Sequence, residues 1–247
     1  MLQISHSTTR EHGAPASSKG DRNHKRLLQI VIMESIPSGY LNVAEISRST
    51  FALGPGERSV VWVQGCPFHC PGCIAPDWIP FTKARLLSIE DLVEELTSSP
   101  TVSGITFSGG EPMEQAKSLA QAAQLARQKR ELNIITFTGY RYERLLKQPA
   151  STGVHELLAQ TDVLIDGPYV RSLNDGKGLR GSNNQRIMNL TSRLSRFDLA
   201  NAAKQLEIHI RDREIMLIGI PPNGIRETLE IALGSPTANT RVSHERI

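Results

Sequence analysis

The chain has 247 residues, 39% of them apolar and 21% charged, with a formal net charge of +3. That suits a soluble α/β-sized domain, and no run approaches the roughly 18 consecutive apolar residues of a membrane span. Residues 1–30 already carry the whole net charge, through Arg10, Lys19, Arg22, Lys25 and Arg26 against Glu11 and Asp21. The rest is neutral, so neither a nucleic-acid surface nor a membrane surface is expected.

In chain order, residues 1–35 are rich in Ser, His, Gly and charge without periodicity, and are expected to be disordered. The apolar segment Leu27–Met33 is too short and lies too far in for a secretory signal. Met33 is expected to be the true start, which leaves residues 1–32 untranslated. A core is expected over 36–194, then a hairpin and helix over 195–233 and a flexible tail over 234–247. The first strand is expected at Tyr40–Ile46 and a second, Ser59–Gln64, runs into Cys66-Pro-Phe-His-Cys70-Pro-Gly-Cys73. A helix capped by Ser88 carries Ile89, Leu92, Val93 and Leu96 on one stripe. Strand Gly104–Phe107 leads into Ser108-Gly109-Gly110-Glu111-Pro112, and a long helix spans about Met113 to Arg130. Strand Asn133–Phe137 enters Thr138-Gly139-Tyr140. Helices with Leu145 and with Leu157 precede strand Asp162–Asp166, which ends at Gly167-Pro168.

Strands alternating with helices predict right-handed βαβ units on a parallel sheet. Roughly four or five units are too few for a closed eightfold barrel, so a partial (β/α) barrel is expected. Leu206–Ile210 and Ile215–Ile218 around Arg211-Asp212-Arg213 read as a C-terminal β-hairpin, followed by a short helix around Ile225–Leu233. The hairpin is expected either to offer a docking edge or to complete the sheet.

The three cysteines are the only ones in the chain, and all fall within eight residues. An odd, tight set without distant partners argues against disulfides and for a metal site in a reducing compartment. The spacing C-x3-C-x2-C can hold three corners of a four-iron cluster and leave one iron without a cysteine ligand. A Cys3His zinc site that adds His69 stays open on spacing alone, as does a non-catalytic zinc or iron–sulfur module. No phosphate loop or G-x-S-x-G motif is present.

The cysteine loop resembles the signature of the radical S-adenosylmethionine superfamily. Gly109-Gly110-Glu111-Pro112, one βα unit later, resembles that family's GGEP segment. Thr138-Gly139-Tyr140, Asp162–Pro168 and Leu179–Ile187, with its Arg180-Gly-Ser-Asn183-Asn184-Gln185-Arg186, resemble the glycyl-radical activating enzymes of the anaerobic ribonucleotide reductase type. The resemblance implies a radical S-adenosylmethionine enzyme, an oxidoreductase with a [4Fe–4S] cluster on Cys66, Cys70 and Cys73. Its open iron would chelate S-adenosyl-L-methionine, and reductive cleavage would give a 5′-deoxyadenosyl radical that abstracts hydrogen from a partner. Gly109, Gly110 and Glu111 would receive the methionine amino group, and Asp166 would accept from a ribose hydroxyl. Arg180 and Asn183–Gln185 would meet the cofactor carboxylate or the protein substrate. The implied partners are a glycyl-radical protein and an electron donor such as flavodoxin or ferredoxin, in the cytoplasm. Gly72 stands where many radical enzymes carry an aromatic, and Ile74-Ala75-Pro76-Asp77-Trp78 departs from the activase pattern. A radical enzyme acting on a peptide or a small heterocycle is therefore the alternative.

Overall fold

The structure, a computed structural model, describes residues 36–211, 214–221 and 228. The expected extension 1–35, the tail 234–247 and, apart from Thr228, the helix around 225–233 lie outside the described residues. In chain order the elements are β1 (Tyr40–Thr50), β2 (Arg58–Val63), β3 (Arg85–Ser88), α1 (Ile89–Leu96), β4 (Gly104–Gly109), α2 (Ala116–Lys129), β5 (Asn133–Thr138), α3 (Tyr142–Leu145), α4 (Val154–Gln160), β6 (Val163–Asp166), β7 (Arg186–Asn189), β8 (Leu206–Arg211) and β9 (Glu214–Gly219).

The first seven strands form one open sheet in the order β3-β1-β2-β4-β5-β6-β7. β2, β4, β5 and β6 run parallel, Val60 pairing with Thr106 and Thr136 with Leu164. β1, β3 and β7 run antiparallel to their neighbours. The sheet is thus mixed, with the expected parallel strands at its centre and antiparallel ones added to them. The antiparallel strands lie at its two margins, β3 and β1 on one side and β7 on the other, flanking a parallel core.

Side chains alternate across the strands. Val61, Val63, Ile105, Phe107, Ile134 and Leu164 share one core with α1, α2, α3 and α4. α2 presents Ala116, Ala120, Ala122, Ala123 and Ala126, small side chains that let it lie close to its neighbours. In α1, Ser88 accepts from the Asp91 N–H (3.1 Å) while Ile89, Leu92, Val93 and Leu96 are buried. The opposite face carries Val60, Trp62, Ile135, Val163 and Ile165, and no helix of the four joins those clusters. It is covered instead by the cysteine loop, the polypeptide after β6 and part of the β8–β9 ladder. That ladder is a separate two-stranded sheet and does not extend the main one. No helix among the described residues is long and apolar enough to cross a membrane.

Candidate metal centre and cofactor cavity

Four parallel strands end on one side, and each runs into a segment singled out above. β2 ends at Val63, and Gln64-Gly65 opens the cysteine loop. The loop is closed at its base by two backbone bonds, from Gly65 N–H to the Trp78 carbonyl (2.9 Å) and from Cys66 N–H to the Ile79 carbonyl (3.0 Å). The Gln64 amide donates to the carbonyls of Asp77 (3.1 Å) and Pro80 (2.7 Å), which holds the returning chain. Gln115 donates in turn to the Gln64 and Asn42 carbonyls and accepts from Asn42 N–H. Together these amide contacts fix the loop to the sheet. Gly65, at φ +98°, is needed there because a Cβ would lie 2.6 Å from the Phe81 ring.

Inside the loop, Cys73 N–H donates to the Cys70 carbonyl (3.0 Å). All three thiols are free and partly buried, and His69 is exposed. Burial pushes the Cys66 thiol up, and the charges of Glu111, Cys73 and Cys70 add to this. Burial also raises Cys73, with Cys70 contributing. Among the described residues no three Cys, His, Asp or Glu side chains close on a single-ion site. A loop bearing three sulfur donors fits an iron–sulfur cluster in donor chemistry.

β4 ends in Gly109, and Gly110-Glu111 follow. Gly110 N–H donates to the Val63 carbonyl (2.7 Å) and Glu111 N–H to that of Gly65 (2.9 Å). A Cβ on Gly109, at φ +103°, would lie 2.4 Å from Val63 N, and one on Gly110 2.3 Å from the Gly65 oxygen. The close approach these glycines permit in the structure is that of β2 and the root of the cysteine loop. Glu111 is fully buried. Its Oε1 accepts from Met113 N–H (2.9 Å) and Thr138 Oγ1 (2.8 Å), and its Oε2 from Gly139 N–H (2.7 Å). Burial pushes its carboxyl up to about 7, against the pull of those hydrogen bonds. The carboxylate joins the ends of β4 and β5. Beyond it, the Tyr140 ring packs edge-on against Phe68 of the cysteine loop at 4.8 Å, and a Cβ on Gly139 would strike Phe68 at 2.6 Å.

Asp166, the last residue of β6, is fully buried. It accepts from Tyr142 N–H (2.8 Å), from Arg186 Nε (2.9 Å) and Nη2, and from Arg141 Nη1 (3.4 Å). Burial raises its carboxyl, but the Arg186 and Tyr142 hydrogen bonds outweigh this and hold it below the ordinary carboxylate value. The polar loop before β7 folds on itself. Gln185 accepts from Gly181 and Ser182 N–H and donates to the Gly167 carbonyl, while Asn184 donates to that of Pro168. Arg180 pairs with Asp175 (3.1 Å).

A cavity of about 180 Å³ lies on the helix-free face; Trp62, Cys73, Ser108, Phe137, Tyr169 and Gln185 are among its lining residues. Of the residues expected from the sequence, Cys73 and Gln185 line it; Cys66, Cys70, Gly109, Gly110, Glu111 and Asp166 do not. Gln64, Gln115 and the pair Phe68–Tyr140 were not anticipated from the sequence. The position of Gln64, immediately before Gly65-Cys66, is the one signal that could have marked it.

Residues 52–188 match the model of a family described as a 4Fe-4S single cluster domain. The anaerobic ribonucleoside-triphosphate reductase-activating protein of Enterobacteria phage T4 is 29% identical over 64% of this chain and 100% of its own length. That of Escherichia coli (strain K12) is 33% identical over 56% of this chain and 91% of its own. The pyruvate formate-lyase-activating enzyme of Clostridium pasteurianum is 31% identical over 52% of this chain and 54% of its own. The match over residues 52–188 leaves β8 and β9 outside it.

Proposed function

The chain belongs to the 4Fe-4S single cluster domain family, among the radical S-adenosylmethionine activating enzymes, and we propose from that footing that it generates a glycyl radical in a partner protein. Cys66, Cys70 and Cys73 would hold a [4Fe–4S] cluster, and with no fourth cysteine in the chain one iron stays open to S-adenosylmethionine. When bound and reduced, the cluster would supply the one electron needed to cleave the C5′–S bond of S-adenosylmethionine, with methionine as the leaving group and the adenosyl carbon as the acceptor of a hydrogen atom from a glycine Cα. That electron comes from a protein donor of the flavodoxin or ferredoxin class, in the cytoplasm.

The chain's own residues position and shield. The backbone bonds at the loop base, with Gln64 and Gln115, fix the cysteines against the sheet. Gly109–Glu111 is assigned to the methionine amino group through its carbonyl oxygens, with the Glu111 carboxylate as its anchor on β5. Asp166 is fully buried and already filled by Arg186 and Tyr142 N–H, so we assign it to hold the corner of β6 and β7 in place of a direct bond to the ribose. The open sheet, with its site at the ends of four parallel strands, supports a partial (β/α) barrel of the radical S-adenosylmethionine type.

The observation that carries the reading is the base-closed loop of three free thiols at the end of β2, within a match to a 4Fe-4S family. The relatives' names point to an anaerobic ribonucleoside-triphosphate reductase as the target class. The hairpin beyond the matched residues favours a second reading, hydrogen abstraction from a different peptide or a small heterocycle. Incubating the reconstituted, reduced protein anaerobically with S-adenosylmethionine and a candidate glycyl-radical protein separates the two. The first reading predicts a carbon-centred radical by electron paramagnetic resonance in the partner. Deoxyadenosine formation without that signal, for each glycyl-radical protein of the same genome, would turn the assignment to the second.

A further inference from the structure

β8 and β9 form a ladder of their own, Leu206 opposite Gly219 and His209 opposite Met216, and both lie beyond the residues matched to the family. The ladder is nevertheless anchored at the site. Met216 and Ile218 of β9 are 1% and 0% exposed and share a cluster with Val60, Trp62, Ala75 and Trp78. Trp62 precedes the cysteine loop on β2 and Trp78 stands at the loop's far end, their ring centroids 5.8 Å apart. The hairpin thus rests on both roots of that loop.

The chain leaves β9 through Gly219, which adopts φ +137°, and a Cβ there would lie 2.2 Å from the Gln205 oxygen. Only glycine suits both the conformation and the space. This exit brings Gly219, Ile220 and Pro221 into the lining of the cavity that Cys73 and Ile74 also line. Trp62, Phe137 and Tyr169 add aromatic surface there, and Ser108, Asn174 and Gln185 add a few polar groups. An apolar, aromatic slot with sparse hydrogen-bonding groups suits a flat heterocycle that carries a sugar.

We propose that the appended hairpin is a working wall of the cofactor cavity, in which Ile220, positioned by the Gly219 turn, packs against the adenosyl group of S-adenosylmethionine and sets the width of the slot. This rests on the S-adenosylmethionine reading given above. A wall delivered by an appended hairpin makes cofactor affinity depend on residues outside the cluster domain.

The test is calorimetric titration of the anaerobically reconstituted full chain with S-adenosylhomocysteine, which carries the same adenosyl group and is not turned over. Wild type, Ile220→Trp and Ile220→Ala are compared, with iron content and melting temperature recorded for each. In Ile220→Trp the indole fills the slot, and affinity is expected to fall roughly tenfold or more at unchanged iron content. In Ile220→Ala, lost contact is expected to weaken binding by roughly threefold to tenfold. Wild-type affinity in an iron-replete Ile220→Trp protein overturns the proposal. If that variant loses its iron or does not fold, wild-type affinity in Ile220→Ala overturns it instead. Failure of the wild-type protein itself to bind S-adenosylhomocysteine or S-adenosylmethionine refutes the underlying cofactor reading, a result distinct from the other two.

Discussion

Gly110 shows how one missing methyl group locates the cysteine loop. Its N–H reaches the Val63 carbonyl, and a Cβ would meet the Gly65 oxygen at 2.3 Å, a backbone atom whose residue also bonds Trp78. Gly110→Ala is expected to cost about 1–3 kcal/mol by overpacking, read as a lower denaturant midpoint, and to reduce the iron retained after reconstitution. Asp166→Asn acts at the end of β6. The folded-state pKa of Asp166 lies below its ordinary value, so its stabilisation is present above the unfolded pKa and is lost as pH falls through the folded one. The variant is therefore expected to lose about 2 kcal/mol at neutral pH, allowing for the half-exposed Arg186. It should differ little from wild type once the pH lies below both values, which urea midpoints at pH 7 and at strongly acid pH would show. At this scale the cysteines and the Gly-Gly-Glu turn were legible because their spacing is local. Gln64 and Gln115 were not, because an amide clamp is defined by carbonyls it meets only after folding, and Gln115 bonds Asn42 from 73 residues away.

Among the elements, those with long apolar runs were readable in place. β2, β4, β5 and the β8–β9 hairpin stand within a residue or two of their expected limits. β3 and β7 were missed. Each has four residues, and each becomes a strand only by pairing with β1 or β6. Arg85–Ser88 also runs straight into a helix cap, which masks its period. The long helix expected from Met113 begins instead as a 3-10 turn at Pro112–Gln115, because the buried Glu111 side chain caps Met113 N–H before α2 can start. Two predictions belong here. Ser88→Ala, which removes the α1 cap, is expected to cost about 1 kcal/mol in chemical denaturation with no change in iron content. Gln64→Ala frees the returning limb of the cysteine loop. It is expected to speed loss of the cluster's visible absorbance under a chelator several-fold, while the fold, followed by far-ultraviolet circular dichroism, stays intact.

Across the whole molecule, the parallel core gathers its chemistry at one end. β2 delivers the cysteines, β4 the glycine–glutamate turn, β5 the Thr-Gly-Tyr corner and β6 the Asp166 network. This follows from βαβ topology, in which all parallel strands finish on the same side, and so the location of the site was legible in the order of strands and helices along the chain. The antiparallel margins and the placement of the hairpin on the helix-free face were not, since both depend on which surface remains uncovered once α1, α2, α3 and α4 have packed. The central claim is that the three-cysteine loop drives reductive cleavage of S-adenosylmethionine. The direct measurement is 5′-deoxyadenosine formed by the anaerobically reconstituted, chemically reduced protein, wild type beside Cys70→Ala. Deoxyadenosine is expected from the wild type and none above background from the variant. The claim is contradicted if the wild type, with about four irons per chain, forms none, or if Cys70→Ala forms as much.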